Sequence, residues 1–465
     1  MPRKRERTVE GSCWPCRRRR VKCDLQKPKC GWCVVSGALC SYGKLRVRWS
    51  SRPPKGLPVR SEVPGALLVL SQGLLNQTSL AIHERRALEY FQRALWPLFT
   101  TVRHPCPPPL SLALQSLPVL LAICELAQAH HALSNAWVEQ ESTAIFPPSK
   151  RLDCLASIRQ QLRQDGNNPE SLSRLLVAVL LIYFLDGYID CSEQSASTGS
   201  HQAGVQAIVE SLGGFHVLFD KCHEETSMLL SEFASSNLTR SLLDNRLPCF
   251  PPDIWKHIEG GTVWWEKPRY GETSLASVFL TMAEMAFYRH SLQLNHGELS
   301  MDQVRRFEAA VQPSFAPLSA DHLGSSTAHL VSGTQIHKTM HSTAFTRAFQ
   351  HSATIYVYRA ICSLHPRHYL VQQHVHSCIE CIRGINRSSK AHNCIIFPLY
   401  VVGAHAFTDE HQRFVLDEVD AVHQTLRFSS LLLIRAALEE LWGSSAHEGD
   451  WSGMFTGLAK GVLVL

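Results

Sequence analysis

Histidine is missing from the first 60 residues, although the chain holds 24 of them. A metal centre near the N-terminus therefore has to be built from other ligands. No uninterrupted apolar run exceeds the 11 residues from 175 to 185, short of the ~18 or more that a spanning helix needs, and no membrane partner is expected. Met1-Pro2-Arg3-Lys4-Arg5 has no apolar stretch behind its charge, which argues against a secretory signal and an oxidising destination. Alternating Val, Ile and Thr runs bounded by turn residues are scarce, so strands are not expected. No run of three heptads is found, so a dimerising coiled coil is not implied. Also missing are G-x-S-x-G, the P-loop and G-x-G-x-x-G; His83, His223 and His447 precede a glutamate, but none opens H-E-x-x-H. The chain is expected not to be an enzyme.

What is present is unevenly placed. Residues 1–60 carry 17 Lys and Arg against Glu6, Glu10 and Asp24, a net of +14, while the remainder carries 29 basic and 37 acidic residues, a net of −8. A total of +6 thus hides a strongly basic head on a mildly acidic body, which suits a polyanion-binding module joined to a domain that does not itself bind polyanions. The 465 residues, 45% of them apolar, allow a large core beyond the head.

Six of the 16 cysteines, Cys13, Cys16, Cys23, Cys30, Cys33 and Cys40, form two copies of C-x2-C-x6-C with six residues between them. Tetrahedral zinc takes four ligands, so two ions need eight bonds, and six thiolates supply eight only if two of them bridge. The third cysteine of each copy is expected to close its site from the end of a short helix, and Asp24 and Pro28 to turn the chain between copies. Disulfide pairing is the alternative, disfavoured where no signal segment is found. The other ten cysteines lack a repeated spacing and read as small buried hydrophobes.

Cys13-Trp14-Pro15-Cys16-Arg17-Arg18-Arg19-Arg20-Val21-Lys22-Cys23-Asp24, followed by Lys27-Pro28-Lys29-Cys30, resembles the binuclear zinc cluster of fungal transcription factors. The resemblance implies two Zn2+ on six thiolates, with Cys13 and Cys30 bridging by position. It also implies double-stranded DNA as partner. The run Arg17–Arg20 with Lys22 should lie on a short helix fit for the major groove. Successive helical residues point about 100° apart, so four arginines cannot all face one groove. The resemblance puts the base-reading residue at Arg20, with Arg19 beside it, on a CGG-like triplet; Arg17, Arg18 and Lys22 would then hold phosphate. The family often has lysine where Arg20 stands, and a planar fork in place of a point donor can change the half-site. The same run also reads as a nuclear localisation signal, and the two uses are compatible. A zinc module for protein or RNA binding is the alternative of another class.

Ser41-Tyr42-Gly43-Lys44-Leu45-Arg46-Val47-Arg48-Trp49 resembles the segment after the last cysteine in the acriflavine sensitivity control protein subgroup, where Arg46, Arg48 and Arg52 would follow the phosphate backbone; a solvated basic linker is the plainer reading. The organisation expected is a basic disordered arm at 1–12, the cluster at 13–40, a basic, proline-rich linker at 41–75 and a helical body at 76–465.

The body has helical period. Leu88, Phe91, Leu95 and Leu98 share a face, as do Val205, Ile208, Val209 and Leu212 before a Gly213-Gly214 stop. Asn168-Pro169-Glu170 is an N-cap, first-turn proline and first-turn acid ahead of the apolar stretch 172–185. Residues 312–340 read as a loop, with helices resuming at about Thr343. Four stretches resemble the second type of fungal-specific transcription factor domain: 87–91; 175–185 with 201–214; 397–406; and 438–442 with Asp450 and Trp451. The stretch 195–200 departs from it by lacking a tryptophan. The fold class expected is therefore mainly α, a small two-zinc DNA-binding head plus a large all-helical regulatory domain.

His365, His368, His374, His376, Cys378 and Cys381 are a dense set of ligand types, but Cys378 and Cys381 fall on one helical face and read as core-facing. Asn76-Gln77-Thr78 and Asn237-Leu238-Thr239 fit the glycosylation pattern without carrying meaning inside a cell. The expectation is a nuclear regulator of RNA polymerase II transcription that acts with the transcription machinery. Control of a secondary-metabolite gene cluster is the leading reading and drug or stress response the alternative. A homodimer stays open.

Overall fold

The computed structural model describes residues 12–19, 21–36, 40, 80–135, 151–166, 168–191, 198–268, 272–295, 297–312 and 333–465. The chain divides into two units, 1–59 and 60–465. Among the described residues every regular element is helical and none is a strand, as the mainly α expectation requires.

In the first unit α1 (Trp14–Arg19) and α2 (Gly31–Val35) each begin one residue after the first cysteine of a C-x2-C pair. The buried residues of this unit's core are five cysteines, with Val21 and Cys40 packed against them. So small an apolar core cannot hold a chain folded, which leaves the stabilisation to a bound metal. Of the arm expected over 1–12 only Ser12 is described, and the linker expected over 41–75 lies outside the described residues.

The second unit packs helices around one large apolar core. Helix Pro169–Phe184 starts where expected: the Asn168 side chain accepts the Glu170 N–H at 3.0 Å and Pro169 opens the first turn. From Leu175 to Phe184 it is buried on every side, and each such leucine or phenylalanine contributes roughly 1.5–3 kcal/mol by leaving water. The helix widens into a π turn, Leu185–Ile189, carrying the fully buried Asp186, which pairs with Arg151 and sits 3.0 Å from Nε2 of His201. Helix Thr198–Ser211 then ends at Gly213 and Gly214, both at positive φ, the expected stop.

Helix Glu224–Asp244 was not legible as a core element. It is buried from Thr226 to Leu243 although half polar. Ser231, Ser235, Ser236 and Thr239 donate back to carbonyls three or four residues earlier at 2.7–3.2 Å, which satisfies hydroxyls that water would otherwise have to solvate. Asn237 is among the buried residues, its Oδ1 accepting the Cys249 N–H at 2.7 Å. That glycosylation-like triplet is thus an internal packing feature; Asn76 lies outside the described residues.

Two expectations change. Helix Gly333–Tyr356 begins inside the segment read as a loop over 312–340, of which 313–332 lie outside the described residues. Its Ser, Thr and His content masked good helix formers such as Gln335, Lys338 and Met340. The 11-residue apolar run also understated the hydrophobic helices: Leu117–Ser134 and Pro169–Ile189 are long and apolar enough to cross a membrane by composition. Single polar residues break a run without breaking a helix. The second window is 89% buried inside the protein, the environment of a core helix.

Candidate metal centre and nucleic-acid interface

All six head cysteines converge. The sulfurs of Cys13, Cys16, Cys23 and Cys30 lie within 4.8 Å of one another, as do those of Cys13, Cys30, Cys33 and Cys40. Both groups contain Cys13 and Cys30. The Cys13–Cys30, Cys13–Cys33 and Cys16–Cys30 sulfurs are 3.5, 3.5 and 3.6 Å apart. A zinc tetrahedron with bonds of about 2.3 Å has edges near 3.8 Å, whereas a disulfide needs about 2.05 Å. The spacing fits shared metal ligation, and all 16 cysteines are free of disulfides.

Local structure sets this convergence. Cys16 sits on α1, whose end is closed by the Val21 N–H donating to the Cys16 carbonyl at 3.1 Å. Cys30 is the N-cap of α2, its sulfur accepting the Cys33 N–H at 3.4 Å, and the Cys30 N–H in turn donates to the Cys40 sulfur at 3.3 Å. Cys23 and Cys40 reach the cluster from non-helical chain four and five residues beyond α1 and α2, not from the helix ends as expected, because each helix starts so early in its copy. Asp24 turns the chain between copies by accepting the Gln26 N–H at 3.3 Å and the Gly31 N–H at 2.8 Å.

Burial raises the thiols of Cys13 and Cys16 and pushes Cys33 up to about 12. Burial also acts upwards on Cys30, but the Cys33 N–H and the thiols of Cys33, Cys13 and Cys16 outweigh it and bring Cys30 down to about 6. Two zinc ions held by these six thiolates would supply the bonds that tie α1 to α2.

The basic residues are placed less completely. Arg19 ends α1 and is exposed; Lys22 lies past the helix and is exposed. Arg17 and Arg18 lie on α1, and Arg20, Arg46, Arg48 and Arg52 lie outside the described residues. In the body, the His365 to Cys381 set does not assemble: His365 and His368 accept the Arg367 and Leu370 N–H groups, and Nδ1 of His374 lies 2.9 Å from Nδ1 of His351. Cys378 and Cys381 are buried in the core. Among the described residues the groups able to hold a metal are the two in the head.

Sequence reasoning missed the exposed apolar residues of α2 and the second role of Asp24, its hold on Gly31. Trp32, Val34 and Val35 are exposed; the signal was available, since a helix of five residues cannot bury three large side chains.

Residues 86–461 match the fungal specific transcription factor domain, and residues 11–49 the fungal Zn(2)-Cys(6) binuclear cluster domain. Among curated relatives, the arginine metabolism regulation protein II of Saccharomyces cerevisiae is 39% identical over 70 residues, 14% of this chain and 8% of its own length. The citrinin biosynthesis transcriptional activators of Monascus ruber and Monascus purpureus are each 44% identical over 54 residues, 12% of this chain and 9% and 8% of theirs. The chain thus aligns with less than a tenth of the length of these relatives. No solved structure matches it.

Proposed function

The chain belongs to the fungal specific transcription factor domain family, and from that membership and the geometry of its head we propose that it is a nuclear, sequence-specific DNA-binding regulator of RNA polymerase II transcription. The observation that carries the reading is the pair of four-sulfur groups sharing Cys13 and Cys30 beside a helix that runs into four arginines. In this reading Cys13 and Cys30 bridge two zinc ions, and Cys16, Cys23, Cys33 and Cys40 complete their shells. Arg20 and Arg19 read guanines of a CGG-like triplet by forked donation to O6 and N7. Arg17, Arg18, Lys22, Arg46 and Arg48 hold phosphate. The body regulates or recruits and performs no catalysis.

Control of a secondary-metabolite gene cluster is the pathway reading, supported by the likeness of the head to two citrinin biosynthesis activators. The test is titration of CGG-containing and scrambled duplexes with the zinc-loaded full chain across a salt series. Arg20→Ala should erase the preference between duplexes, and Arg17→Ala should weaken both and reduce the salt slope by about one. Equal losses on every duplex for both variants would contradict this division of roles.

A further inference from the structure

Fourteen large apolar side chains are exposed among the described residues, and four of them, Leu25, Trp32, Val34 and Val35, belong to the short head. Leu25 has a φ of 62°, a left-handed conformation that strains a bulky residue, and it displays an apolar side chain while doing so. Leu25 and Trp32 each follow one partner of the hydrogen bond from the Gly31 N–H to Asp24. Val35 follows Trp32 by three residues, on the same helical face, and is 87% exposed.

We propose that Leu25, Trp32 and Val35 form a docking face for an acidic, amphipathic segment of a partner protein. Charge selects this occupant. Lys27 and Lys29, in the turn between Leu25 and α2, are exposed and form no ion pair among the described residues. Apolar side chains have nothing to offer phosphates, so DNA reading leaves the face unexplained. A second copy would set lysine against lysine, within segments of net +14. A segment with bulky apolar groups on one side and carboxylates along its edge meets Trp32 and Val35 with the first and both lysines with the second. The arginines of the DNA-binding reading follow the other C-x2-C pair.

The inference goes beyond the DNA-binding reading, and its test separates the two. The probe is a fluorescent 20-residue synthetic peptide with Leu and Phe on one helical face and Glu on the other. It is titrated with the zinc-loaded full chain, free and bound to duplex, alongside a scrambled peptide of the same composition. Saturable binding is expected in both states, with the scrambled peptide weaker. Val35→Asp and Trp32→Ala should each weaken it by roughly tenfold while zinc content and duplex affinity stay within about twofold. Equal binding of the scrambled peptide, or no loss in either variant, would overturn the proposal. So would self-association abolished by Val35→Asp, or peptide binding strengthened by Trp49→Ser, since the occupant would then be a second copy or this chain's own following segment. Failure of the wild-type chain to bind duplex would count against the DNA reading and leave the peptide result standing.

Discussion

The carboxylate of Asp24 accepts the N–H of Gly31 at 2.8 Å across the turn that joins the two halves of the head. A Cβ on residue 31 would stand 2.7 Å from that oxygen, so the contact depends on glycine at the start of α2. Asp24→Ala and Gly31→Ala should each cost about 1 kcal/mol of head stability. Competition for zinc between the full chain and a chromogenic chelator should show release at roughly fivefold lower chelator in both variants. Unchanged release would mean that the sulfurs alone fix the angle between the halves.

The two shared sulfurs should behave differently from the others. Cys40 belongs to one four-sulfur group and Cys30 to both. Native mass spectrometry of Cys40→Ser should therefore find one zinc ion retained, by Cys13, Cys16, Cys23 and Cys30, and of Cys30→Ser none. Equal stoichiometry in the two variants would refute the sharing.

Glu232 lies inside the body, accepting the Tyr188 hydroxyl at 2.8 Å. Burial pushes its carboxyl up to about 8, against the smaller downward pull of the Tyr188 hydrogen bond. Between pH 4.5 and about 8 the unfolded carboxyl is ionised while the buried one keeps its proton, so the folded state binds more protons and loses stability as pH rises. Glu232→Gln keeps the acceptor and removes the charge. Urea titrations should show this fall abolished, with the variant more stable than its parent by roughly 2–5 kcal/mol at pH 8. An identical pH dependence would place the titration elsewhere.

Gly187 lies in the π turn beneath Leu463, whose N–H donates to the Gly187 carbonyl at 2.9 Å. An added Cβ would come within 2.3–2.4 Å of the Leu463 side chain. Gly187→Ala should destabilise the body by about 1–3 kcal/mol through overpacking, read as a lowered denaturation midpoint. No change would show that the 462–465 segment moves aside freely.

What could be read beforehand was what depends on spacing. The cysteine frame, the Asn168 cap and the Gly213-Gly214 stop are local, and local rules place them. The Asp24 to Gly31 bond was out of reach because a turn residue does not announce which N–H it will accept. The burial of helix Glu224–Asp244 was out of reach for a different reason. Its serines satisfy themselves within the helix, so the polarity that normally marks a surface face was misleading. Asp186, Glu232 and Glu418 are single acids inside apolar surroundings whose partners, His201, Tyr188 and His392, are 15 to 44 residues distant, a pairing that only the packed helices define.

Selection of random duplex DNA by the zinc-loaded full chain, at one stated salt concentration near physiological, tests the central claim most directly. Enrichment of CGG-like triplets that vanishes when a chelator strips the metal, and relaxes in Arg20→Ala, is the predicted result. No enriched sequence from protein shown to hold two zinc ions would contradict it.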